Sequence, residues 1–249
     1  MTGVCISPVF FRPNFNLRIN HTKIIIMSNK IAERIFNLII LDESGSMCGL
    51  EKMSVDGVNE TIQTIKAAAE AHPEQKQMFS FVTFSGLGRD VLPYRVHTLL
   101  KEISEVKEFP MEAYVPRGNT PLWDTMGRAM TELERVVTDR DLVLVTVITD
   151  GYENASREYN GTMINDMVTR LDKKGWVFTY IGANQDAMRE ACKLGIRNSL
   201  NFQADAEGTK KMWQKEKSSR MAFFDEASRS DRFSESLKDN YFNKDDMDI

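Results

Sequence analysis

Asp42, Ser44 and Ser46 occupy alternate positions in the stretch Asp42-Glu43-Ser44-Gly45-Ser46-Met47, directly after the apolar run IFNLIIL. An acid and two hydroxyls at the end of a strand suit two chemistries. They can satisfy free backbone amides in a turn or at a helix start, or surround a hard cation, which takes oxygen ligands. On this motif alone capping is the stronger reading, because Asp and Ser are common in turns of every kind. Two later segments carry similar groups: Thr120 within GNTPL, and Asp150 within TDG after the apolar run LVLVTVI.

The elements that must position these groups follow from hydrophobic periodicity. Short apolar runs alternate with helically spaced stretches from Ile35 onward, which predicts an α/β fold. Strands are expected at Ile35 to Leu41, Met78 to Phe84, Val91 to Val96, Leu142 to Ile148, Val177 to Ile181 and Leu200 to Phe202. Helices are expected from the DESGSM loop to His72-Pro73, around Lys101 to Val106, from Pro121, over Thr162 to Lys173, over Asp186 to Leu194, and over Ala206 to about Phe224. The SGLGRD link is too short for a parallel crossover, so the third strand should be antiparallel and at an edge. The whole reads as a doubly wound, mostly parallel six-stranded sheet with one antiparallel edge strand and helices on both faces. Such sheets bind ligands beyond the carboxyl ends of their strands, where Asp42 and Asp150 both fall.

Taken together, Asp42, Ser44 and Ser46, then Thr120, then Asp150 occur in the order and at the separations of the metal-ion-dependent adhesion site of von Willebrand factor A domains. Residues 30 to 225 resemble that family, and LDESGSM, GNTPL, TDG and YIGAN (Tyr180 to Asn184) are similar to its compact, stand-alone bacterial and phage-type members. The resemblance implies that Ser44 and Ser46 give hydroxyl oxygens directly to a divalent cation. Thr120 gives a third, at least with ligand bound, and Asp42 and Asp150 act through bound water and by holding the hydroxyls. Mg²⁺ is the implied metal, and Mn²⁺ satisfies the same oxygens. Neutral direct ligands leave the cation only partly compensated, so it should recruit a Glu or Asp side chain from a partner protein. The implied role is recognition, with no enzyme activity. The competing reading is a phosphatase-like, metal-assisted hydrolase with Asp42, Asp150, Glu43 or Glu153 as general base.

Composition is compatible with this role. The chain has 249 residues, 42% hydrophobic, enough for one main domain, and a net charge of −4 gives no reason to expect nucleic acid. Cys5, Cys48 and Cys192 lack zinc or disulfide spacing, which points to a reducing, cytoplasmic compartment. No apolar stretch approaches the roughly 18 residues that span a bilayer. Residues 1-26 read as an N-terminal extension, or an upstream start read in error, because Met27 opens a cleaner segment. Residues 27-225 form the domain, and 226-249 read as a polar, acidic, mobile tail.

The remaining residues have plainer readings. Glu43 and Glu153 are expected as solvated acids at the rim of the site, and Cys48 as a half-buried thiol. Gly45 and Gly151 are expected to permit tight turns and Gly118 a close backbone approach. His21, His72 and His97 lie far apart and support no catalytic histidine. Met212, Trp213, Met221, Phe223 and Phe224 read as core packing on the last helix. Asp245, Asp246 and Asp248 are candidates to dock on a neighbouring molecule's metal site. No dinucleotide fingerprint, P-loop or nucleophile elbow is present.

Overall fold

The computed structural model describes residues 31–86, 94–183, 187–231 and 234–242. The extension over 1-26, the SGLGRD turn beyond Gly86, Asn184 and the final acids lie outside the described residues. Strands Arg34–Asp42 (β1), Lys76–Phe84 (β2), Tyr94–Glu102 (β3), Asp141–Thr149 (β4), Trp176–Ala183 (β5) and Asn198–Phe202 (β6) form one sheet in the order β3-β2-β1-β4-β5-β6. Every pairing is parallel except β2 with β3, so β3 is the antiparallel edge.

Alternation along β1 builds two cores. Ile35, Ile39 and Leu41 pack against Glu51–Ala71 (α1) and Ala206–Ala227 (α5) on one face. Phe36, Leu38 and Ile40 pack against Leu122–Glu134 (α2), Gly161–Asp172 (α3) and Ala187–Lys193 (α4) on the other. β4 lies beside β1 and is buried along its whole length, which is why its sequence is almost wholly apolar. The strand order reverses between β1 and β4, so their carboxyl ends, which lead into Asp42 and Asp150, flank the switch point.

The structure differs from the sequence expectation in two regions. β3, described from Tyr94, runs past Val96 to Glu102, and the helix expected from Lys101 is a single 3-10 turn, Ile103–Glu105. A register irregularity opposite Ser80 extends the strand: Leu100 takes φ +52°, and its amide donates to Ser80 Oγ at 2.9 Å. The second difference concerns the segment expected as a tail from residue 226, over its described residues up to Phe242. α5 continues to Ala227, a further helix covers Glu235–Asp239 (α6), and Leu237, Tyr241 and Phe242 are buried in the core on the α1 and α5 face. Three scattered apolar side chains in a polar segment leave no periodic signal, yet each finds a place in the core.

A buried polar network ties this region to the strands that carry the acids. Arg220 on α5 has no solvent exposure and donates to Asn37 Oδ1 on β1 at 2.9 Å, Thr146 Oγ1 on β4 at 2.8 Å and Glu216 Oε1 at 2.7 Å. The Tyr241 hydroxyl donates to the same Glu216 oxygen at 2.9 Å. A buried charge pair of this kind is a weak source of net stability, but removing one partner leaves an uncompensated charge. Met212, Trp213, Phe223 and Phe224 are buried as core residues, whereas Met221 is exposed.

Candidate metal centre

Asp42 closes β1 and is fully buried. Its Oδ1 accepts from the Ser44 amide at 2.7 Å, which bends the chain back on itself, and its Oδ2 accepts from the Thr149 hydroxyl at 2.6 Å. A single 3-10 turn, Gly45–Met47, then presents the second serine. Ser44 Oγ and Ser46 Oγ stand 3.1 Å apart, and Ser46 donates to Asp150 Oδ1 at 2.6 Å. Thr120 reaches the same place from the loop before α2, where its amide donates to Asn154 Oδ1 at 2.9 Å and its carbonyl accepts from the Asn154 amide at 3.1 Å. All five residues singled out in the sequence thus lie on three segments that meet at the carboxyl ends of β1 and β4.

Gly151 reports how tightly those loops converge. A Cβ placed there would stand 3.3 Å from Thr120 Oγ1, 3.5 Å from Ser46 Oγ and 3.9 Å from Asp42 Oδ2. Oxygens from three separate segments therefore face one small volume, kept open by the absence of a side chain. The glycine roles differ from expectation: Gly118 holds φ +74°, a conformation that favours glycine, while Gly45 and Gly151 serve close approach. The Gly45 amide donates to Gly118 O at 3.0 Å, clamping the serine loop to the threonine loop.

Burial sets the electrostatics of the two acids at the site. Burial pushes Asp42 up to about 6, with the Asp150 charge adding to it and the bonds from Thr149 and Ser44 opposing it. Burial also raises Asp150, against the bond from Ser46. Among the described residues no Lys, Arg or His forms an ion pair with either acid. Nor do three or more His, Cys, Asp or Glu side chains cluster for a metal among them. A cation here would be held through hydroxyls, with the two acids balancing its charge. Hydroxyl and carboxylate oxygens around an open cradle fit a hard divalent cation.

Several residues outside the five candidate ligands shape the site. Glu43 is a correction: it is 1% exposed, not a solvated rim acid. Its carboxylate accepts from Thr83 Oγ1 at 2.6 Å, from the Val115 amide at 2.6 Å and from both Arg95 Nε at 3.2 Å and Arg95 Nη2. Its amide and carbonyl bond Phe84 O and Arg117 N, so Glu43 joins the serine loop, β2, β3 and the segment leading to Thr120. Tyr114 donates its buried hydroxyl to the Asp42 carbonyl. Asp124 accepts from the amides of Arg157, Glu158 and Tyr159 at 2.8 Å each and folds the loop after Asp150 against α2. Glu153 accepts from the Trp123, Ala155 and Ser156 amides and braces that loop too. Polar residues at positions where a core-facing side chain is due are the one sequence signal that marks Glu43 and Asp124.

The outlying candidates are placed as follows. Cys48 is exposed, not half-buried, and its thiol donates to Pro116 O at 3.6 Å. His97 stacks on Phe81 with ring centroids 5.0 Å apart and lies 2.8 Å from Thr83 Oγ1. Burial, then the Arg95 charge, lowers it to about 4, so it is neutral at physiological pH.

A sheet of this order, with polar loops meeting at its switch point, defines a doubly wound α/β domain. Residues 38–215, well over half of the chain, match the model of the von Willebrand factor type A domain, and the protein belongs to that family. The chain is similar in structure to the SpRpn10 VWA domain, at 13% identity and TM-score 0.50 over 71% of this chain and 92% of that one. It is similar to proximal thread matrix protein 1 from the mussel byssus, at 16% identity and TM-score 0.52 over 75% of this chain and 46% of that one. The pilus adhesin SpaC from Lactobacillus rhamnosus GG aligns at 11% identity and TM-score 0.58 over 78% of this chain and 31% of its own. The chain thus spans less than half the length of the latter two, and at these identities the likeness is one of fold. No curated protein matches the chain. Among the described residues no helix is long and apolar enough to cross a membrane.

Proposed function

We propose that this domain is a metal-dependent protein-recognition module with a complete metal-ion-dependent adhesion site. Ser44, Ser46 and Thr120 offer hydroxyl oxygens to a divalent cation, and Asp42 and Asp150 balance its charge. Mg²⁺ is the metal that best suits small, hard oxygen donors, and Mn²⁺ can replace it. A cation so held supplies positive charge that attracts a carboxylate, and the partner's Glu or Asp provides it. The observation that carries this reading is the convergence of Ser46, Thr120 and Asp42 oxygens on Gly151 beside two acids that pair with no Lys, Arg or His among the described residues. Membership of the von Willebrand factor A family, whose domains act in metal-dependent protein–protein interaction, supports it.

The hydrolytic alternative needs a general base on a metal-bound water. Glu43 and Glu153 both have their carboxylates engaged in holding loops, which favours recognition. The exposed, unpaired Cys48 and Cys192 support a reducing compartment such as the cytoplasm, and the motif set that includes LDESGSM and GNTPL supports a bacterial or phage-type member. The test is affinity capture of partners with the wild-type chain, with chelator present, and with Ser44→Ala and Asp150→Ala. The captured set should shrink in the last three samples; an identical set in all four refutes the proposal.

A further inference from the structure

Beside the metal loops lies a cleft of about 420 Å³ that no motif announces. Its near walls are continuations of the two loops that meet at Gly151. Leu122 and Trp123 follow Thr120 by two and three residues, and Tyr152 follows Asp150 by two. The Trp123 amide, bonded to Glu153 Oε2 at 2.9 Å, holds those walls together. Tyr180 on β5, Thr162 on α3 and Leu194 after α4 close the remaining sides.

The charged and amide side chains that line this cleft, Glu153, Asn165, Glu190 and Lys193, are engaged within the protein. The second Glu153 oxygen accepts from the Ala155 and Ser156 amides at 2.7 Å each. Asn165 donates to Lys193 O at 2.9 Å, and Glu190 pairs with Lys193 Nζ at 2.7 Å. What the cleft mainly offers a visitor is therefore the side chains of Trp123, Tyr152 and Tyr180 and the aliphatic surface of Leu122 and Leu194. Tyr152 is 52% exposed, so much of its side chain is open to a visitor.

We infer that the partner segment carries a large apolar side chain, aromatic or long aliphatic, within three residues of its metal-seeking acid, and that this side chain seats in the cleft between Trp123 and Tyr152. The inference rests on the metal-dependent reading above and names the partner's chemistry at that same site. The occupant belongs to the partner segment because the cleft is continuous with the face where the acid would dock. An extended chain advances about 3.3–3.6 Å per residue, so two or three residues carry it roughly 7–11 Å, past the loop positions that separate Thr120 and Asp150 from the cleft walls. An aromatic side chain buries about 150–250 Å² on entering such a site, which makes it an anchor of the kind that dominates recognition surfaces.

The test uses the full chain and a displayed peptide library randomised on both sides of a fixed Glu or Asp, bound in Mg²⁺ and eluted with chelator. The eluted peptides should share Phe, Trp, Tyr, Leu or Met at one fixed offset of three residues or fewer. Changing that residue to Ser should weaken binding about tenfold or more. Tyr152→Ala, and Thr162→Trp as a cleft-filling variant, should each lose the preference while keeping the Mg²⁺-induced rise in Tm. Chelator-eluted peptides without a preferred apolar position, or equal binding to both variants, would overturn the cleft inference and leave the metal reading intact. An absence of chelator-eluted peptides, or binding unchanged by Ser46→Ala, would instead overturn the metal reading, and the inference with it.

Discussion

Replacing Glu43 by Ala is the most informative perturbation, because this acid touches none of the five candidate site residues through its side chain and yet joins the loops that carry them. Its carboxylate receives buried bonds from Thr83 Oγ1 and the Val115 amide, both at 2.6 Å, and a forked contact from Arg95. The Arg95 side chain is 42% exposed and also donates to Ala113 O, so water recovers most of that part in the variant. Thr83 retains His97 as a partner. The net loss is then mainly the two short bonds to a charged acceptor, at about 1.5–3 kcal/mol each before relaxation. A destabilisation of about 2–4 kcal/mol is expected, read as a lower urea midpoint at unchanged m-value. Freeing Val115 also loosens the segment through Arg117 and Gly118 that delivers Thr120. Mg²⁺ affinity, measured by titration calorimetry on the folded variant, should fall roughly tenfold, as when a supporting partner of a metal ligand is removed. Glu43→Gln, which keeps shape and neutral acceptors, should lose about half as much stability. If Glu43→Ala unfolds within about 0.5 kcal/mol of wild type, the range of an ordinary surface change, and binds Mg²⁺ equally, then Glu43 is a solvated acid and the joint described above does not exist.

Gly151→Ala should abolish the Mg²⁺-induced rise in Tm with little change in the metal-free protein, since its Cβ enters the cradle 3.3 Å from Thr120 Oγ1 and its φ is not in the left-handed region; an unchanged metal response would mean the cradle is not the site. Asp42 has a folded pKa of about 6, above its unfolded value near 3.8, so its contribution to stability is present below the lower value and lost as pH rises through the upper. Asp42→Asn should therefore stabilise the chelated protein at pH 7 to 8 by up to about 3 kcal/mol and change little at pH 4, while removing the response to Mg²⁺; thermal melts against pH check both. His97 is depressed to about 4, so it favours the unfolded state as pH falls from about 6.5 toward 4. His97→Asn should flatten the loss of stability in that window, and an unaltered pH profile would show the ring to be freely solvated. Truncation after Ser228 removes the buried side chains of Leu237, Tyr241 and Phe242, each worth about 1.5–3 kcal/mol when fully buried, and should lower the urea midpoint strongly; equal stability would restore the reading of this segment as a mobile tail.

How legible the fold was depended on periodicity. The apolar runs over β1, β4 and β5 and the spacing of Val55, Val58, Ile62 and Ile65 on α1 are dense signals, and the structure places all of them in the two cores. The run of β3 past Val96 was illegible because an edge strand half in water has weak alternation: Val96 and Leu99 are each 48% exposed. Its length is set by pairing with β2 and by the irregularity at Leu100, neither of which is local. The burial of Tyr241 and Phe242 was illegible for a related reason. Two aromatics in a polar segment become core residues only because Asn198, beyond β5 in the chain, bonds the Lys238 carbonyl and the Tyr241 amide and docks the segment.

By itself the sequence determined the oxygen-rich character of the site and its place at the ends of two strands, because a strand's apolar run and its terminal residue are neighbours in the chain. Asp42 after IFNLIIL and Asp150 after LVLVTVI follow directly from that adjacency. Only the tertiary structure decided which polar groups face the cradle and which hold it. Glu43 and Asp42 are adjacent and chemically alike, yet one points into the β2 and β3 side to meet Thr83, Arg95 and Val115, while the other meets Ser44 and Thr149. Consecutive residues at a strand end face opposite ways, and what each side chain meets there comes from segments far along the chain. The glycines show the same division of labour: a residue type that allows either a special φ or a close approach shows which one it serves only when its neighbours arrive.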